Sequence, residues 1–163
     1  MTRLSQLTIP TLMLTLALVL GISLVRSIPA RAASVIGSGT STSCTEADLQ
    51  AAVAGGGLVT FDCGQSTAAP VTIPITQRMD LSADVVIDGG SKGAIVLDSG
   101  DPGVDERNGV GFFTVPAGVS VELRNLVLTN GGDTALINHG TLTLRRAEVI
   151  YARAEQCAGI ASD

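Results

Sequence analysis

Tryptophan is absent from this 163-residue chain, tyrosine occurs once and phenylalanine three times. A core so poor in rings has to be filled by Val, Ile and Leu, which suits a narrow interior between sheets. Histidine occurs once and the three cysteines include no Cys-x-x-Cys spacing, so no zinc site is expected. Basic residues are scarce, ten against fifteen acidic ones, and they form no cluster. Such a surface repels phosphate backbones, and no nucleic-acid partner is expected. No Gly-x-Ser-x-Gly occurs, and a Cys–His pair would need cysteines better explained as a disulfide, so nucleophilic triads lack support. Nor does a helical pattern of any length separate the apolar runs, which excludes a βαβ fold.

One long apolar run is present, from Leu7 to Val25. Arg3 gives it a basic start, and Ala30-Arg31-Ala32 is a small-x-small cleavage site, so residues 1–32 read as a signal peptide cut after Ala32. An uncleaved anchor is the alternative, since an almost wholly apolar run of 19 residues is just long enough to span a bilayer. In either case the remainder is exported, and membrane contact is expected only through the leader. Its removal takes Arg3, Arg26 and Arg31, leaving seven basic and fifteen acidic side chains, net −8. The leader also inflates the mean hydropathy of +0.42, which is therefore no sign of a membrane protein.

Export explains the cysteines. Cys44 and Cys63, 19 positions apart, are expected to pair in an oxidising compartment. That bond would close a loop of about 20 residues and contribute on the order of 3 kcal/mol. Three free, buried cysteines are the alternative. Cys157 is left over, with a partner expected beyond the present C-terminus or in another molecule.

Residues 33–42 are small and polar and read as a flexible mature N-terminus. A cap is expected over 43–64. Ser43 and Glu46 stand in capping-box spacing, Leu49, Ala52 and Val53 share one helical face, and Gly55-Gly56-Gly57 ends the helix. So short a helix needs a surface to lie on. It is expected to cover the open end of the strands that follow.

From there to residue 163 every run is short and strand-like: LVTFDC (58–63), VTIPI (71–75), DVVIDGG (84–90) and AIVLD (94–98). Between Phe112 and Tyr151 a three-strand unit occurs twice. Phe112 and Ala135 are 23 apart, Val119 and Thr141 22, and Leu126 and Glu148 22, with Arg145-Arg146 in the place of Arg124-Asn125. Strands of four or five residues repeating near 22 predict an all-β solenoid, with a β-sandwich as the alternative. VVIDGG (85–90) resembles VLTNGG (127–132) at a shift of about two coils, and the loop 99–109 is an excursion that interrupts the count.

Taken together, the leader, CTEADLQAAVAGGGLVTFDCG (44–64), VVIDGG, IVLD, FFTV, VELRNLVLTNGG and ALINHGTLTLRRAEV resemble bacterial secreted right-handed parallel β-helix proteins. These are pectin-lyase-like surface proteins related to the CSLREA-type and polymorphic outer-membrane repeat families. The resemblance implies a right-handed parallel β-helix with a capping helix, placed outside the cell or on its surface. The partner class it implies is polysaccharide. Members are commonly longer and end in an anchor, so this sequence is expected to be an N-terminal portion of a longer product.

The same superfold hosts polysaccharide lyases and glycoside hydrolases, which makes enzymatic activity the alternative to a scaffold or adhesin-like role. Hydrolysis needs carboxylates clustered on one face. The family's Asn-Thr-Asp, Asp-Asp, Gly-His-Gly and Arg-Ile-Lys motifs are missing, and Asn138-His139-Gly140 matches the third only in its last two residues. His139 is expected to be a turn residue, and no catalytic residue is assigned. For calcium, Asp98, Asp101 and Asp105, with Glu106 and Asn108 nearby, are the candidate ligands, but their spacing fits no calcium loop and a solvated turn is the preferred reading. Arg124, Arg145 and Arg146 are expected to meet at one corner, in a ridge or in a solvated face with Glu122 and Glu148. No cofactor is expected.

Overall fold

The computed structural model describes residues 33–100, 110–132 and 134–150, together with the backbone of 160–162. Among them are one α-helix, α1 (Glu46–Gly55), and thirteen short strands. The strands are β1 (Ser34–Ile36), β2 (Gly57–Phe61), β3 (Val71–Pro74), β4 (Met79–Asp80), β5 (Val85–Asp88), β6 (Ile95–Asp98), β7 (Phe113–Val115), β8 (Ser120–Arg124), β9 (Leu126–Thr129), β10 (Leu136–Asn138), β11 (Thr141–Arg145), β12 (Glu148–Ile150) and β13 (Ile160–Ser162).

They form three sheets. Sheet 1 runs β1-β2-β5-β8-β11, sheet 2 runs β3-β6-β9-β12 and sheet 3 runs β4-β7-β10-β13. From β2 onward the chain visits sheets 1, 2 and 3 in rotation, and each strand pairs in parallel with its counterpart one round later. The expected all-β character and parallel stacking are present. The antiparallel pairing that a sandwich needs is not found among the described residues.

Alternation along each strand decides which residues enter the core. Val59, Ile87 and Leu123 lie in register across sheet 1, Ile73, Leu97 and Leu128 across sheet 2, and Met79, Phe113 and Leu136 across sheet 3. All nine are at most 3 % exposed. Burying a Leu or Ile of this kind contributes about 1.5–3 kcal/mol, so the stacked aliphatic rows hold the three sheets around one interior. Phe61, Phe112 and Phe113 are buried there too, the aromatic minority in an aliphatic core.

Corners between sheets are tight because single residues take the left-handed conformation. Asn125 (φ 56°) joins β8 to β9, Asn130 (φ 60°) follows β9, and Arg146 (φ 51°) follows β11. The correspondence of Arg124-Asn125 with Arg145-Arg146 therefore holds: Arg145 pairs with Arg124, and the next residue turns the corner in both.

The repeat lengths need correction. Leu136 lies opposite Phe113, a shift of 23, but Leu142 lies opposite Val121 and Glu148 opposite Val127, both shifts of 21 rather than 22. The turn 116–119 between β7 and β8 has four residues and the turn 139–140 only two, which removes two from the shift. VVIDGG is also misplaced by the sequence likeness. Val85–Asp88 pairs with Val121–Arg124, one round on, and it is Ile95–Asp98 that pairs with Leu126–Thr129. Both corners end in a polar residue and glycine, so the likeness reports a similar corner, not the same one.

At the front end the segment 33–42, expected to be loose, instead contributes β1, paired with β2 from Ser34↔Val59 to Ile36↔Phe61. Gly37 (φ 93°) makes this possible, because a Cβ there would meet Asp62 O and the Cys44 sulfur. Helix α1 packs on β1 and β2 and buries the expected Leu49, Ala52 and Val53. Its N-cap is Thr45, whose hydroxyl accepts from Asp48 N, and not Ser43, which lies in a 3-10 turn. Glu46 does not reach back to a cap; it reaches away to Thr76 and Gln77.

Candidate functional site

The outer face of sheet 1 carries a dense group of interacting charges. Strand alternation turns Glu122 and Arg124 outward, and the register places Asp88 and Arg145 on either side of Arg124. Arg124 donates to Glu122 twice, Nε to Oε1 at 2.8 Å and Nη2 to Oε2 at 2.9 Å. Arg145 Nε approaches the same Oε1 at 2.5 Å. One carboxylate thus engages two guanidinium groups from adjacent strands. The Arg124 hydrogen bond outweighs the cost of burial and, with the charges of both arginines, holds the Glu122 carboxyl below its ordinary value. The same hydrogen bond raises Arg124.

The sign of that shift matters for chemistry. A general acid in glycoside hydrolysis needs a carboxyl raised toward neutrality, whereas Glu122 is pushed the other way and its oxygens are occupied. Of the two readings for the arginines, the structure gives the face shared with Glu122. Glu148 is engaged separately, by Lys92 Nζ at 2.6 Å.

Two further carboxylates stand at corners. Asp88 Oδ1 accepts from Gly90 N (2.9 Å) and from Asn125 Nδ2 of the next round (2.7 Å). Asp98 Oδ1 accepts from Gly100 N (3.2 Å) and from Asn130 Nδ2 of the next round (2.8 Å). Each Asp caps its own turn and ties down the left-handed Asn stacked on it. Asn125 Oδ1 and Asn130 Oδ1 are buried without a partner, so each amide works as a donor at its corner. These Asp–Asn pairs escape sequence reasoning. Their signal is a strand-terminal Asp before Gly or Ser-Gly and a strand-terminal Asn in the following round.

Of the calcium candidates, Asp98 is therefore a corner ligand of its own chain, while Asp101 and Asp105, with Glu106 and Asn108, lie outside the described residues. Among the described residues no three His, Cys, Asp or Glu side chains converge to hold a metal ion. His139 is exposed on the two-residue turn after β10, its N–H donating to Val115 O at 2.8 Å. Asn138 Oδ1 accepts from Gly140 N, so Asn-His-Gly here is turn chemistry.

Cys44 and Cys63 stand at disulfide distance, Cα–Cα 5.8 Å, and both are buried. Cys157 lies outside the described residues. Beside β1 and α1 runs an open groove of about 530 Å³, lined by Val35, Ser43, Asp48 and Ala51 among others. Asp48 in its wall already accepts from the Thr45 hydroxyl at 2.6 Å. No described helix is long and apolar enough to cross a membrane.

Among the described residues these features define a class, a mostly β chain of three parallel sheets on which several outward charges pair with one another. No family model, curated protein or solved structure matches the chain.

Proposed function

We propose that the chain is an exported, non-catalytic right-handed parallel β-helix that serves at the cell surface or outside the cell as a structural, adhesin-like or carbohydrate-contacting module. The rotation through three parallel sheets supports the solenoid. Right-handedness is favoured because connections between parallel neighbours of one sheet are right-handed in about 98% of cases. The observation that carries the non-catalytic reading is the Arg124–Glu122–Arg145 arrangement, in which the outward carboxylate is saturated and its pKa lowered. The leader and the cysteine pair support export.

Incubation with polygalacturonate, with and without calcium, tests the reading. No new reducing ends or unsaturated products are expected, and product in either arm would establish lyase or hydrolase activity instead. Export is checked by fractionation and N-terminal sequencing, which should give a chain starting at Ala33.

A further inference from the structure

Helix α1 buries only Leu49, Ala52 and Val53, and ten residues do not form a stable helix alone in water. Its position depends on what holds its N-terminal end. The preceding segment stays paired with β2 through Ser34–Ile36 and with Asp62 through Gly39. Beyond that pairing two side-chain ties, close together in sequence, hold the start of the helix itself. Cys44 is joined to Cys63 at the far end of β2, which closes a loop containing the whole helix. Two residues on, Glu46 spans to the turn after β3, Oε1 accepting from Thr76 N (2.8 Å) and Gln77 N (3.0 Å) and Oε2 from the Thr76 hydroxyl (2.6 Å). The C-terminal end of α1 passes through Gly56 (φ 67°) and Gly57 (φ 80°) into β2, a joint with little resistance to bending.

We infer that α1 is a detachable cover, latched by the Cys44–Cys63 bond and the Glu46 carboxylate, which opens as a unit when both are released while the sheets beneath stay paired. The chemistry of each release is distinct. Protonation removes the charge of Glu46 and turns the Thr76 hydroxyl contact round, Oε2–H donating where the carboxylate accepted, so three charge-assisted hydrogen bonds become weaker neutral ones. Reduction adds two hydrogens across the sulfur–sulfur bond: two external thiols become one disulfide, and Cys44 and Cys63 become thiols.

The charged groups on the surrounding elements are Asp48 on α1, Asp62 past β2, and Arg78 and Asp80 past the turn. Asp48 is bound by the Thr45 hydroxyl and Arg78 by Thr134 O, each at 2.6 Å. Burial opposes ionisation of Glu46, but its hydrogen bonds from Thr76 and Gln77 prevail and lower its pKa from 4.5. Acid therefore acts on this latch by weakening those hydrogen bonds.

Amide hydrogen exchange on the full chain tests the inference in two arms, compared as protection factors. The first takes the wild type at neutral pH and at about pH 3, each with and without a phosphine, which supplies the two electrons for reduction and leaves as its oxide with the oxygen of water. The second takes C44S/C63S/E46A at neutral pH, because alanine removes all three Glu46 hydrogen bonds. In both, release of the two ties together is expected to lower protection across 46–55 by at least about tenfold, while 85–88 and 121–129 keep theirs. Retained protection at 46–55 with both ties cut would overturn the inference, as would loss of protection at all three segments together. If the triple variant does not fold, the wild-type arm decides.

Discussion

Asn125 combines two demands at one corner. Its backbone is left-handed, φ 56°, and its Nδ2 donates to Asp88 Oδ1 in the previous round, with the residue 3 % exposed. Asn125→Gly keeps the backbone and loses the hydrogen bond, for an expected cost of about 1 kcal/mol. Asn125→Ala loses the hydrogen bond and adds left-handed strain, for about 2–3 kcal/mol in all. Urea midpoints of the two variants separate the contributions. At the matching corner Arg146 bears the same backbone, φ 51°, on a residue that gains nothing from it. Arg146→Asn is expected to raise stability by about 0.5–1 kcal/mol. The correspondence of these corners was legible in the sequence because a polar residue follows an alternating strand both times. The Asp88 partner was not legible, since it depends on which strand lies beneath, and that strand is 36 residues away in register.

Helix α1 shows what local pattern settles and what it leaves open. The i, i+3, i+4 spacing of Leu49, Ala52 and Val53 gave its buried face, and the glycines gave its end. Its start was misassigned by two residues because Ser43-x-x-Glu46 and Thr45-x-x-Asp48 satisfy the same motif. Thr45 prevails because Glu46 is drawn to a turn 30 residues away, a contact no local pattern contains. Thr45→Ala is expected to cost about 1 kcal/mol in chemical denaturation, and Ser43→Ala distinctly less. For Glu46 the folded pKa lies below the ordinary 4.5, so its stabilisation is complete above that value and is lost as pH falls through the lowered one. Glu46→Gln should therefore be less stable than the wild type at neutral pH, and the difference should close in acid. An equal gap at both pH values would show that the carboxylate charge is not what holds the turn.

Across the whole molecule the sequence revealed the kind of fold better than its phase. Short apolar runs, few rings and a doubled unit were enough for stacked parallel strands. Register before Phe112 was hidden by unequal connections: β5 to β8 advances 36 residues in register and β8 to β11 only 21. A two-residue strand such as β4 carries no alternation to detect. The stack also makes its interior positions unequal. Val59, Ile87, Leu123 and Leu144 form one inner row, yet the first three are 0 % exposed and Leu144 is 36 %. Leu123 has strands on both sides and Leu144 has a described neighbour on only one. Removing a leucine side chain loses its transfer energy and leaves a cavity only where the surroundings are closed. Leu123→Ala is therefore expected to cost about 3 kcal/mol or more, and Leu144→Ala about 1 kcal/mol, in equilibrium unfolding. Equal costs at the two positions would mean that the inner face of β11 is covered in solution as fully as that of β8.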